Sequence, residues 1–110
     1  MNLTIEEVDG ICRIALTGKL DSKGAEAIDV RFTAATANKD RVMVDLTAVD
    51  YIASIGIRVM VLAGKTVARR GGKLVLFGAA SFVAKVLTAS GLTEIVPLLD
   101  SKDAAVASLA

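Results

Sequence analysis

The chain has 110 residues, 54% of them apolar and 23% charged, with a net charge of +1 and one proline; that is one domain, residues 1–110, with material for a core and no signature of disorder. The lone Cys12 excludes an internal disulfide and a cysteine-ligated metal site, and the absence of histidine excludes Ser-His and Cys-His nucleophile pairs, histidine-bound zinc and a histidine base. No apolar run approaches the roughly 20 residues of a membrane helix, and Met1–Glu7 lacks the basic start of a signal peptide, so we expect a soluble cytoplasmic protein with no membrane insertion.

Taken in chain order, Leu3–Val8 and Ile11–Leu16 are β-rich runs joined by Asp9-Gly10, a dipeptide that tolerates the positive φ of a tight turn. Ala25, Ile28, Phe32 and Ala35 then recur at helical spacing, predicting a helix to about Ala37 with Ser22 as its N-cap. Arg41–Leu46 reads as a short buried strand. A helix follows over Ser54–Arg70, closed by Gly71-Gly72, and Lys73–Phe77 is the strongest strand in the chain. A third helix over Ser81–Ala89 ends at Ser90-Gly91, a short strand surrounds Ile95-Val96, and Ser101 caps a last helix through Leu109. The predicted fold is α/β: a mixed sheet, formed by an N-terminal hairpin plus parallel strands, packed with about four helices.

Charge is unevenly ordered. Residues 1–50 carry nine acids against six bases, whereas no acid occurs between Tyr51 and Thr93, where Arg58, Lys65, Arg69, Arg70, Lys73 and Lys85 fall. Such a stretch suits an acidic partner or is a solvated helix face. With one tyrosine, three phenylalanines and no tryptophan, there is little surface to stack bases, and we expect no direct nucleic-acid binding. Neither Gly71-Gly72 nor Ser54-Ile55-Gly56 has the spacing of a phosphate loop, and no cofactor or metal is expected. Glu6 and Glu7 would point to opposite sheet faces, while Asp45 and Asp50 lie near the carboxyl end of a strand, where α/β proteins place functional groups and where loop hydrogen bonding is the simpler role.

The informative segment is Val49-Asp50-Tyr51-Ile52-Ala53-Ser54-Ile55-Gly56-Ile57-Arg58, which leaves a strand and enters a helix with Ser54 at the N-cap. Ile57, Met60, Val61, Gly64 and Ala68 account for one core-facing side. Ile55, Val59 and Leu62 are apolar on other sides, and only Arg58 interrupts them, which marks a helix buried from two directions or presenting an apolar patch to a partner.

These segments resemble the STAS domain of bacterial anti-sigma factor antagonists. Ile14-Ala15-Leu16-Thr17-Gly18-Lys19-Leu20-Asp21 is similar to the family's L-x-G-x-L-D strand-to-loop step. Val42-Met43-Val44-Asp45-Leu46 with Tyr51-Ile52-Ala53-Ser54-Ile55-Gly56-Ile57 resembles its central strand and the D-S-S-G-L-type loop. Gly71-Gly72-Lys73-Leu74-Val75-Leu76 and Ser90-Gly91-Leu92 match its helix-to-strand step and the end of its third helix.

The resemblance implies a switch and not an enzyme. Such a protein binds an anti-sigma factor that is also a serine kinase, frees a sigma factor, and is released when one serine is phosphorylated; a serine phosphatase reverses the step. The serine falls on Ser54, and the implied contact surface comprises Asp21, Ser22, Tyr51, Ala53, Ser54, Ile55, Gly56, Arg58, Val59 and Leu62. The loop departs from the family where Ala53 replaces an acid, Ile55 a hydroxyl residue and Arg58 a small residue, and Lys19 stands where an acid is common. The alternative role is a constitutive binding module in a larger assembly, such as a sensory complex or a lipid-transport accessory. A Ser54–Lys65 hydrolase lacks an evident oxyanion site or pocket.

Overall fold

The computed structural model describes residues 1–110. Asp9 and Gly10, at φ 52° and 78°, reverse the chain between β1 (Asn2–Val8) and β2 (Ile11–Leu20), which pair antiparallel with Ile5 opposite Ile14. The chain continues through α1 (Ser22–Ala37), β3 (Arg41–Ile52), α2 (Ser54–Arg69), β4 (Lys73–Phe77), α3 (Ser81–Ala89), a 3-10 turn at Leu92–Glu94, β5 (Leu98–Leu99) and α4 (Lys102–Leu109). Strand order is β1-β2-β3-β4-β5, and every pairing after the first is parallel. The expected mixed α/β sheet with four helices is therefore the architecture found, with β3 and β4 adjacent and parallel across α2.

One sheet face meets α1, α2 and α3 in the main core, where Ile14, Leu16, Val44 and Leu76 pack with Phe32, Met60 and Leu87. On the other face α4 lays Ala105 and Leu109 over Ile11, Met43, Val75 and Phe77. Val42–Leu46 of β3 is buried throughout, as a central parallel strand requires.

The structure differs from the sequence expectations at four places. β3 runs on six residues past Leu46, because register shifts between Ala15 and Thr17 and between Gly18 and Lys19 keep it paired with β2 as far as Leu20↔Ile52. The strand expected around Ile95-Val96 is displaced past Pro97: Val96 is buried, close enough to Gly64 that a Cβ there would lie 2.6 Å from Val96 Cγ2, and pairing begins at Leu98. The core side of α2 is rotated, with Gly56, Met60, Ala63, Gly64 and Val67 buried, Ile57 and Val61 half-buried and Ala68 exposed. Finally, the α1 cap is Asp21, which accepts a 2.8 Å bond from the Gly24 amide, and the α2 cap is Ala53, with Ser22 and Ser54 each the first helical residue. Ser101 does cap α4, accepting from the Ala104 amide at 3.1 Å.

Where α4 does not reach, the second face carries an ion-pair ladder. Arg13 donates to Glu6 and to Asp45, both at 2.6 Å, and Asp45 also accepts from the Thr47 amide at 2.9 Å and the Thr47 hydroxyl at 2.7 Å. Burial of Asp45 opposes its charge, but the Thr47 and Arg13 donors outweigh it and hold the carboxyl below its ordinary value. A carboxyl depressed in the folded state adds stability that is fully present above its unfolded pKa, about 3.9, and is lost as pH falls through the lower folded value. Asp45→Asn should therefore cost about 2 kcal/mol at pH 7, because Arg13 loses its buried counter-charge. Urea unfolding at pH 7 and pH 3 should show a smaller difference between the two pH values for the variant than for the wild type.

Candidate partner-binding surface and switch serine

A parallel sheet with a helix after each strand gathers the helix N-termini at the carboxyl ends of the strands. The starts of α1 and α2 are brought together there by the end of β2. The Ala53 amide donates to the Leu20 carbonyl at 3.0 Å, which anchors the turn before α2, and Asp21 follows Leu20 directly into α1. Two glycines permit the approach: a Cβ on Gly24 would lie 2.1 Å from the Lys19 carbonyl oxygen, and one on Gly56 would lie 2.8 Å from the Leu20 carbonyl oxygen and 2.5 Å from its Cγ.

Ser54 is exposed on this turn. The Ala53 carbonyl accepts from the Gly56 and Ile57 amides at 2.9 and 3.2 Å, while the amides of Ser54 and Ile55 have no backbone acceptor. A group esterified to the hydroxyl would stand at the positive end of the α2 dipole with two free donors beside it. The Asp21 carboxyl at the start of α1 is held below its ordinary value, chiefly by the Gly24 amide.

Several residues of the expected surface gather in one depression of about 550 Å3 between α1 and α2, where Ser22 faces Ile55 and Val59. Leu62 lines the adjoining depression of about 220 Å3. Tyr51, Ile55 and Leu62 are 43%, 37% and 53% exposed, a high fraction for apolar side chains in so small a fold. Arg58 is exposed beside them, Ala53 is half-buried, and Gly56 is buried against Leu20, where it holds the turn and offers no surface. Tyr51 and Asp21 belong to the same end through the Lys19↔Tyr51 and Leu20↔Ile52 pairs.

On the α1 side the expected surface held only Asp21 and Ser22, whereas Glu26, Asp29 and Val30 also line the depression and Val30 is 80% exposed. The available signal was an apolar Val30 off the Ala25–Ile28–Phe32 face. The acid-free stretch also divides. Arg70 donates to the Thr36 carbonyl at 2.8 Å and to the Lys39 carbonyl, clamping the end of α1, and Lys73 reaches the Ser108 hydroxyl at 2.8 Å. Arg58, Lys65, Arg69 and Lys85 are exposed. No helix is long and apolar enough to cross a membrane.

The STAS domain family model matches residues 2–105. The chain is 35% identical over 109 residues, 98% of its length and 94% of the relative's, to BtrV of Bordetella bronchiseptica, assigned as an anti-sigma factor antagonist. Among solved structures, an anti-sigma factor antagonist from Mycobacterium paratuberculosis superposes with a TM-score of 0.90 at 19% identity, covering 98% of this chain and 92% of that one. The phosphorylated form of the Bacillus cell fate determinant SpoIIAA superposes at 0.74 with 18% identity, covering 99% and 100%.

The Leu20 contact generates a test. Alanine is favoured over glycine inside a helix by about 1 kcal/mol, but the Cβ of Gly56→Ala meets a backbone oxygen that cannot step aside, and overpacking of this kind costs about 1–3 kcal/mol. Gly56→Ala should lower the melting temperature and shift the Ser54 and Leu20 amide resonances, whereas Ala68→Gly on the exposed side should lose only the propensity term.

Proposed function

Because this chain belongs to the STAS-domain family of anti-sigma factor antagonists, we propose that it binds a cognate anti-sigma factor of the serine-kinase type through the surface around the start of α2, and that phosphorylation of Ser54 releases it. The observation that carries the reading is an exposed serine on the first residue of α2, beside the exposed Ile55 and two unpaired amides. A phosphate adds about −1.5 to −2 charges at pH 7. On the free protein those amides and the helix dipole stabilise it, so the domain stays folded. In the complex the same charge must be desolvated against an apolar contact, and the Asp21 carboxylate at the same end repels it. A serine phosphatase would restore binding, and the exchange takes place in the cytoplasm.

Ala53 favours a second reading. Where the family usually has an acid before the serine, this chain has a methyl group, so a kinase that reads that acid has nothing to grip, and the protein then acts as a constitutive binding module of a larger assembly. The two readings separate on one experiment: incubation of the protein with its co-purified partner and ATP, followed by mass spectrometry. Phosphate on Ser54 with loss of the complex supports the switch; a persistent complex without phosphate supports the constitutive module.

Ser54→Asp should weaken partner binding by about 2 kcal/mol, roughly 30-fold in Kd, and Ser54→Ala should leave it unchanged. Lys102→Ala on α4 should have no effect. Titration calorimetry checks all three, and aspartate binding as tightly as serine would remove Ser54 from the interface.

A further inference from the structure

The apolar surface does not end at the switch serine. The two depressions share Asp29 and Val59, so they form one groove that begins at Ser22 and Ile55 and continues to Ala37 and Thr66, along most of the length of α1 and α2. Each helix has 16 residues, about 24 Å. Phe32 and Ala63 are buried in the groove, while Val30 and Leu62, 80% and 53% exposed, stand on opposite sides of it.

The two sides differ in charge. Glu26 and Asp29 line the groove from α1. On α2, Arg58, Lys65 and Arg69 are spaced by seven and four residues, which aligns them in one exposed stripe next to Leu62. None of these five takes part in an ion pair: the four that form involve Glu6, Glu7, Arg13, Lys39, Asp40, Asp45 and Arg70. The α1 wall of the groove is thus acidic, with Lys23 bordering Glu26 on its outer side, and the α2 wall is edged beyond Leu62 by bases that line neither depression.

We propose that this groove receives an amphipathic helix of a protein partner, with an apolar stripe at i, i+3 or i+4 and i+7 for the floor, basic residues on the flank against α1 and acidic residues on the flank against α2. The proposal deepens the partner-binding reading and rests on it for the existence of a partner; it does not depend on the state of Ser54. The divided charge has a geometric consequence. Turning a helix end for end with its apolar stripe still facing the groove exchanges its left and right flanks. Only one direction then matches both walls, so the groove selects polarity as well as composition.

The test uses the full chain, 15N-labelled, and two synthetic helical peptides of about 16 residues and identical composition, each spin-labelled at its N-terminus. Both carry the apolar stripe with one basic and one acidic flank, and the second has the flanks exchanged. Expected are amide shifts confined to α1 and α2, with relaxation broadening at the Ser54 end of the groove for one peptide and at the Thr66 end for the other. Glu26→Lys with Asp29→Lys, both exposed and outside any ion pair, should weaken binding of both peptides about tenfold and leave the unfolding curve in place. The proposal is overturned if neither peptide binds below about 1 mM, if shifts map elsewhere, if both peptides place their label at the same end, or if the charge reversal has no effect. Concentration-dependent shifts in the groove without peptide would assign it to a second copy of the chain and also overturn the proposal. None of these outcomes involves phosphate on Ser54, so failure here and failure of the switch remain separate results.

Discussion

The hydrogen bond from the Ala53 amide to the Leu20 carbonyl sets the geometry on which the candidate binding surface depends. It joins the end of β2 to the turn after β3, so that two helices from different parts of the chain begin side by side. Gly24 and Gly56 make the approach possible by leaving no Cβ against the Lys19 and Leu20 carbonyls. Once the two starts are fixed, the spacing between α1 and α2 follows, and with it the mouth of the groove and the presentation of Ser54 at a helix end. A side chain at either glycine would have to open the groove in order to fit.

Charge in this small protein is divided between holding the fold and facing outward. Arg13, Asp45 and Glu6 tie three strands together on the part of the sheet that α4 leaves uncovered, and Arg70 fastens the end of α1 through two carbonyls. These groups face partners within the chain and have little left to offer another molecule. The bases along α2 and the acids of α1 make no such contacts. A near-neutral total therefore conceals a surface with distinct acidic and basic regions.

Most of the fold was legible because it rests on local rules: Asp9-Gly10 defines the hairpin, and the Ala25–Ile28–Phe32 spacing defines the core face of α1. What was not legible depends on contacts distant in sequence. Thr47-Ala48-Val49-Asp50-Tyr51-Ile52 reads as a loop, and becomes strand because two bulges, each with one extra residue on β3, keep it paired with β2. Ser22 and Asp21 are equally good cap residues by type; the approach of Gly24 to the Lys19 carbonyl fixes Asp21 in the cap position. The Arg13–Asp45 pair joins different strands and has no sequence signature. At the functional surface the serine and the apolar residues of α2 could be read, since one segment holds them. The α1 wall could not, because only packing shows that Glu26 and Asp29 stand beside α2.

The order of strands across the sheet is the order in which the chain is synthesised. Each new strand joins the edge left by its predecessor, and none has to insert between two already paired. Growth from the N-terminus can therefore proceed by addition, with short loop closures and no rearrangement. The last addition carries the greatest risk. Until α4 emerges, Ile11, Met43, Val75 and Phe77 present an apolar face on a sheet that is otherwise complete, and the eight residues of α4 are what cover it. A variant lacking Lys102–Leu109 would hold all five strands and still be prone to aggregate, because the second core would have lost its cover.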